Sequence, residues 1–210
     1  MAAALAVALP AGAAGPAGAT AGGTPVILVL GDSISAEYGL KRGTGWVALL
    51  ENRLAKERIS ARVVNASISG ETTSGGRSRL PALLAQHNPT HVVIELGGND
   101  ALRGLPLTMT EDNLSHMTQL ARQSGARVLL AGMQLPPNYG REYGERFAGL
   151  FTQVAKRHQA AVVPFLFKGF ADGPEPTRYF QPDRIHPNED AQPLILANVW
   201  PALRKLLPSS

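Results

Sequence analysis

Residues 26–30 form an unbroken run of β-branched and leucine side chains closed by Gly31, as expected for a strand buried on both faces. Beyond it Trp46, Val47, Leu49, Leu50 and Leu54 recur at helical spacing, with Glu51, Arg53, Lys56, Glu57 and Arg58 supplying a polar face; this predicts an amphipathic helix. The alternation then repeats. The pattern predicts a short strand at 62–65, a helix containing 80–86, a buried strand at 91–96 and a helix around 111–123. A strand at 127–132, a long helix around 141–158, a strand at 161–165 and a closing helix at 191–207 complete it.

Strands alternating with helices at this spacing predict an α/β protein, a three-layer α/β/α sandwich around a five-stranded parallel sheet, because each crossover helix has to cover one face of the sheet. In such sheets ligands gather at the carboxyl ends of the strands, where the loops converge. Ser33 lies three residues beyond the first strand, Gly70 five beyond the second and Asn99 three beyond the third. These loops leave one edge of the sheet. The segment carrying Asp183 and His186 follows the fifth strand and is long enough to return there.

Composition adds limits. The 210 residues suffice for one full hydrophobic core and are few for two, so 24–210 is expected to be a single domain. The net charge of +4 comes from 20 scattered Lys and Arg, without the basic stripe and interleaved aromatics that nucleic-acid binding needs. Cysteine is absent, which excludes disulfides, thiol catalysis and Cys-ligated zinc. Residues 1–23 are nearly all Ala, Gly, Val, Leu, Pro and Thr, without a basic start. They read as a flexible leader or the back half of a secretory signal peptide, the latter implying a periplasmic or secreted protein. The apolar stretch at 2–9 is too short to span a bilayer, which takes about 20 residues, so no stable membrane insertion is expected.

The chemistry sits in four polar segments. Gly31-Asp32-Ser33-Ile34-Ser35 offers a hydroxyl, and Asp183-Arg184-Ile185-His186 offers a carboxylate and an imidazole. Together these are the nucleophile, the base and the orienting acid of serine hydrolysis. Asn65-Ala66-Ser67-Ile68-Ser69-Gly70 and Gly97-Gly98-Asn99-Asp100 can supply oxyanion donors. Each segment alone has a blander reading: Gly-Asp-Ser as a helix cap, Asp183 with His186 as a turn cap or part of a metal site. No second histidine or carboxylate cluster stands at a useful metal spacing, so no metal is expected. His87, His91, His116 and His158 read as surface or packing residues. Ser33 is not flanked as G-x-S-x-G, which argues against an α/β-hydrolase elbow, and no nucleotide-binding glycine motif occurs. No cofactor is called for.

In combination and order, Gly31-Asp32-Ser33-Ile34, Gly70 within Ser69-Gly70-Glu71-Thr72, Gly97-Gly98-Asn99-Asp100 and Asp183-Arg184-Ile185-His186-Pro187 resemble the four blocks of the SGNH hydrolases of GDSL type. The segments 66–70, 95–100, 135–140 and 186–188 narrow the resemblance to the bacterial arylesterase, thioesterase I and lysophospholipase group, over roughly residues 24–207. The resemblance implies a flavodoxin-like sandwich in which Ser33, Asp183 and His186 are catalytic. It also implies an oxyanion hole built from the N–H groups of Ser33 and Gly70 and the Asn99 amide. The expected substrates are aryl esters, short to medium acyl esters and thioesters, and lysophospholipids, handled by a monomer or weak oligomer. A carbohydrate O-deacetylase is the alternative enzyme, and a non-catalytic ligand-binding module the alternative of another class.

The apolar segment 101–109, with Leu105, Pro106 and Leu107 at its centre, is expected to form a mobile wall for the acyl chain, as this loop does in relatives. Two departures from the family pattern stand near the nucleophile. Ile34 replaces a leucine. Glu37 replaces a small residue, and is expected to place a carboxylate at the pocket mouth and disfavour acidic substrates.

Overall fold

The computed structural model describes residues 23–208, so the leader, apart from Gly23, lies outside the described residues. The strands β1 (Val26–Gly31), β2 (Arg62–Asn65), β3 (His91–Glu95), β4 (Arg127–Ala131) and β5 (Ala161–Val163) form one five-stranded sheet of order β2-β1-β3-β4-β5. Every pairing is parallel. This is the flavodoxin-like order, and the direction of winding reverses between β1 and β3, the place at whose carboxyl ends such sheets bind ligands.

Side chains of a strand alternate between faces, and here that alternation builds two cores. Ile27, Val29, Val93 and Leu129 point to one face. They meet α1 (Trp46–Lys56) through Trp46, Leu50 and Leu54, and α6 (Gln192–Leu206) through Ile195, Val199 and Leu203. Leu28, Leu30, Val92, Ile94 and Leu130 point to the other face, under α2 (Thr73–His87), α4 (Leu107–Gln123) and α5 (Arg141–Arg157). There Phe147 and Phe151 pack edge to face, with centroids 5.4 Å apart. Fully burying one such side chain contributes roughly 1.5–3 kcal/mol. Two filled faces therefore hold the sheet rigid beneath its loops.

Several boundaries differ from the periodicity. Helix α2 begins at Thr73, well before the apolar repeat, because the Thr72 hydroxyl caps it by accepting from Gly75 N–H at 3.3 Å. A five-residue helix, α3 (Gly98–Leu102), stands where a loop was expected. Helix α4 starts at Leu107, four residues before the expected Glu111. The expected mobile wall is thus mostly helical, with residues 103–106 left as loop, and Leu107 is only 6% exposed because it packs into the core beneath.

Candidate active site

Ser33, Gly70, Asn99 and the Asp183–His186 segment follow β1, β2, β3 and β5 at the carboxyl edge of the sheet. Ser33 Oγ–H donates to His186 Nε2 at 2.9 Å, and His186 Nδ1–H donates to Asp183 Oδ2 at 2.7 Å. The chain forms this row locally at one end and by folding at the other. Arg184 adopts the left-handed conformation (φ 59°). That lets Asp183 Oδ1 accept from both Ile185 N–H at 2.9 Å and His186 N–H at 3.0 Å. Burial pushes the Asp183 carboxyl up, but these two N–H groups and the imidazole outweigh it and hold the group below its ordinary range. It is therefore an ionised anchor for the ring.

Gln181 brings the two ends together. Its side-chain amide donates to Tyr38 O at 2.8 Å and Pro187 O at 3.1 Å, and its backbone N–H donates to His186 O at 2.8 Å. Gly39 makes room for it, since a Cβ there would lie 2.1 Å from Gln181 Oε1. The Tyr38 ring lies 4.3 Å from the His186 ring and covers it. Neither Gln181 nor Tyr38 stands out in the sequence, because no local spacing marks a residue that braces two distant loops.

The candidate oxyanion donors share one property. The N–H groups of Ser33 and Gly70 find no acceptor among the described residues. Gly70 is left-handed (φ 78°), and its carbonyl is held by Arg103 Nη2 at 3.0 Å. Asn99 Nδ2 donates one hydrogen to Asp32 Oδ2 at 2.9 Å. An amide carries two, so the second remains free. Asp100, next to it, is structural: it accepts from the Thr73 N–H at 2.9 Å and from the Thr73 hydroxyl, tying α3 to the start of α2.

Beneath the nucleophile lies a buried carboxyl pair that spacing did not announce. Asp32 accepts from Ile34 N–H at 3.0 Å and faces Glu95, the last residue of β3. Burial pushes Asp32 up to about 6, against the opposing pull of the Ile34 and Asn99 hydrogen bonds and the nearby His186. A carboxyl with a higher pKa folded than unfolded stabilises the fold when protonated, fully below its unfolded value near ~3.9, and that contribution is lost as pH rises through the folded value. The melting temperature of Asp32→Asn relative to wild type is therefore expected to climb between about pH 4 and pH 7. Parallel pH curves for the two proteins would refute this.

Glu37 does not meet its expectation. Its carboxylate turns to the backbone ahead of α1, accepting from Gly43 N–H at 3.0 Å and Gly45 N–H at 2.8 Å, so its charge closes that loop. Among the described residues the exposed large hydrophobics are Tyr38, Ile68, Tyr139 and Ile185, half-exposed or nearly so. Tyr38 and Ile185 flank His186, Ile68 lies between β2 and Gly70, and Tyr139 ends a 3-10 turn beyond β4, so the segments leaving the carboxyl edge carry an apolar rim. Leu105 is partly buried and Pro106 exposed in the 103–106 loop that follows Asn99.

Residues 29–192 match the GDSL-like Lipase/Acylhydrolase family. The chain is 54% identical over 181 residues to the esterase TesA of Pseudomonas aeruginosa, covering 86% of this chain and 89% of that protein. It is 44% identical over 169 residues to the thioesterase 1/protease 1/lysophospholipase L1 of Escherichia coli, covering 80% and 78%. Among solved structures it superposes on the psychrotrophic esterase EstA from Pseudoalteromonas sp., inhibited by monoethylphosphonate, with a TM-score of 0.80 at 40% identity, covering 86% and 97%. A serine, an imidazole and a carboxylate in hydrogen-bonded sequence thus lie on a fold shared with esterases, and the chain belongs to the GDSL-like lipase/acylhydrolase family of carboxylic ester hydrolases.

Proposed function

We propose that the protein hydrolyses acyl esters and thioesters through an acyl-enzyme on Ser33, with His186 as general base and Asp183 as the group that orients it. The observation that carries this reading is the continuous row from Ser33 Oγ through His186 to Asp183 at 2.9 and 2.7 Å. With Nδ1–H held by Asp183, Nε2 is free to take the serine proton as Oγ attacks the acyl carbonyl. The imidazolium then returns that proton to the leaving alcohol or thiol, and water repeats the cycle on the acyl-enzyme.

The tetrahedral intermediate puts negative charge on the former carbonyl oxygen. The unpartnered N–H groups of Ser33 and Gly70 and the second hydrogen of the Asn99 amide are the donors suited to receive it. Losing one such donor costs about 2.7–4 kcal/mol, so Asn99→Ala is expected to lower kcat by about 10²–10³-fold with KM little changed. A loss below about tenfold would remove Asn99 from this role.

The apolar rim supports acyl substrates with a hydrocarbon tail. That relatives are named esterase, arylesterase and thioesterase/lysophospholipase supports aryl esters, acyl esters of short to medium chain, acyl thioesters and lysophospholipids as the substrates of this protein. Leu105 and Pro106 are assigned to the chain-binding wall, with Leu107 supporting it from the core. The small-residue leader with its apolar stretch supports work in the periplasm or outside the cell. No helix among the described residues is long and apolar enough to cross a membrane.

The test is a fluorophosphonate labelling experiment with peptide mapping, run beside a p-nitrophenyl series from acetate to palmitate. Stoichiometric adduct on Ser33 and turnover that peaks above acetate are expected. Turnover of acetate alone would favour deacetylation of a polar substrate, and a protein that neither labels nor turns over would overturn the hydrolase mechanism.

A further inference from the structure

Glu95 ends β3 directly across from Gly31, its register partner at the end of β1. Its carboxyl reaches over β1 because Gly31 has no side chain: a Cβ there would lie 2.9 Å from Glu95 Oε2 and 2.7 Å from Ser35 Oγ. The site it enters is buried. Glu95 is 1% and Asp32 4% exposed, and the two carboxyl groups are within hydrogen-bonding reach of each other. No Lys or Arg pairs with either among the described residues.

The surrounding donors favour the charge on Asp32, where both carboxyl oxygens are engaged, over Glu95, where both donors meet one oxygen. The indole N–H of Trp46, on α1, can only donate, and it gives its hydrogen to Ser35 Oγ at 3.1 Å. Ser35 therefore turns its own hydrogen to Glu95 Oε2, at 2.8 Å, where the Asp32 N–H also points at 3.4 Å. Asp32 has both carboxyl oxygens engaged by N–H donors, Ile34 on Oδ1 and Asn99 on Oδ2, and feels the nearby His186. Two adjacent buried carboxylates without a cation cannot both ionise. The better-solvated partner keeps the charge, and that is Asp32. Burial first, and then the Asp32 charge, push Glu95 well above the carboxylate range.

We propose that Glu95 is a positioning residue of the hydrolytic site: a neutral buried acid that donates its proton to Asp32 and so fixes the carboxylate that aims the Asn99 amide and closes the turn behind Ser33. The proposal rests on Asn99 being an oxyanion donor. Asp32 alone, without Glu95 beneath it, could rotate toward the Asn99 amide or away from it. With Glu95 donating to it from below, its Oδ2 stays on Asn99, and the second amide hydrogen stays turned outward. A proton on Glu95 thereby serves the oxyanion hole without touching substrate.

The experiment compares Glu95→Gln and Glu95→Leu with wild type in the full chain. It follows kcat and KM on p-nitrophenyl butyrate, the melting temperature, and the infrared carbonyl stretch of a protonated carboxylic acid at neutral pH. Glutamine keeps a donor for Asp32 and an acceptor for Ser35, so Glu95→Gln is expected to hold kcat within a few-fold of wild type. It should also delete the carboxylic-acid band. Glu95→Leu is expected to lose kcat by about 10²-fold at nearly constant KM, the size of a lost oxyanion donor.

A Glu95→Gln loss as large as that of Glu95→Leu, a folded Glu95→Leu with wild-type kcat, or a wild type without the infrared band would each overturn the proposal. Should Glu95→Leu fail to fold, Glu95→Gln and the infrared band still decide it. A wild type that does not label at Ser33 would defeat the hydrolase mechanism instead, and the band would still report where the proton lies.

Discussion

Ser33→Ala is expected to lower kcat about a millionfold while leaving KM and the melting temperature close to wild type. In the proposed mechanism the alanine removes the atom that carries the acyl group. It also strands His186, whose Nε2 has no other partner among the described residues. What survives is binding and the donors at Ser33, Gly70 and Asn99, a residual acceleration of about 10³–10⁴ over water. Stability is spared because the serine hydroxyl lies partly open and hydrogen-bonds only to the imidazole. Kinetics on p-nitrophenyl butyrate with active-site titration would check this. A loss below about 10²-fold would show that hydrolysis proceeds by direct attack of water, with Ser33 a bystander.

The second large effect is at Asp183, where Asp183→Asn is expected to cost about 10⁴-fold in kcat with the fold intact. The two oxygens of Asp183 do different work. Oδ1 closes the turn by accepting from Ile185 and His186 N–H, and Oδ2 accepts the Nδ1 hydrogen of the ring. Asparagine can keep its oxygen on the turn, but then offers its NH₂ to Nδ1. The imidazole answers by moving its hydrogen to Nε2, the nitrogen that has to receive the serine proton. Phosphonate labelling should slow in parallel with turnover, since both need the base. If Asp183→Asn retained more than about a tenth of wild-type kcat, the orientation of His186 would have to come from Tyr38 and Gln181 instead.

These effects belong to a site whose parts were legible to different degrees. Ser33, Gly70, Asn99, Asp183 and His186 can be picked out because their blocks follow buried strands and recur in a family order. Asp32, Glu95, Gln181 and Tyr38 could not. Glu95 falls in the expected strand and in the family-like segment 95–100, but neither gives it a role, and its burial is evident only when Gly31 is seen beside it. Gln181 lies in a long connection without periodicity, and its value comes from reaching Tyr38, 143 positions away. Glu37 misled because nearness in sequence to the nucleophile did not fix the direction of its side chain, which Gly43 and Gly45 claim.

By itself the chain determined what period and punctuation can encode. Continuous apolar runs of five or so residues make buried parallel strands, 3.6-residue stripes make covering helices, and their alternation leaves one α/β/α sandwich with its loops at one edge. The ends altered even this, with α2 starting at its Thr72 cap and α4 taking in Leu107, which packs into the core. Only the tertiary structure decided which loops touch. The bond from Ser33 to His186 joins residues 153 positions apart, and its length depends on how β1, β5 and the Gln181 brace pack. Charge was decided there too. A carboxylate is ionised in any open chain at neutral pH, and only the closing of two cores around Asp32 and Glu95, with no Lys or Arg beside them among the described residues, pushes both carboxyl groups above their ordinary range.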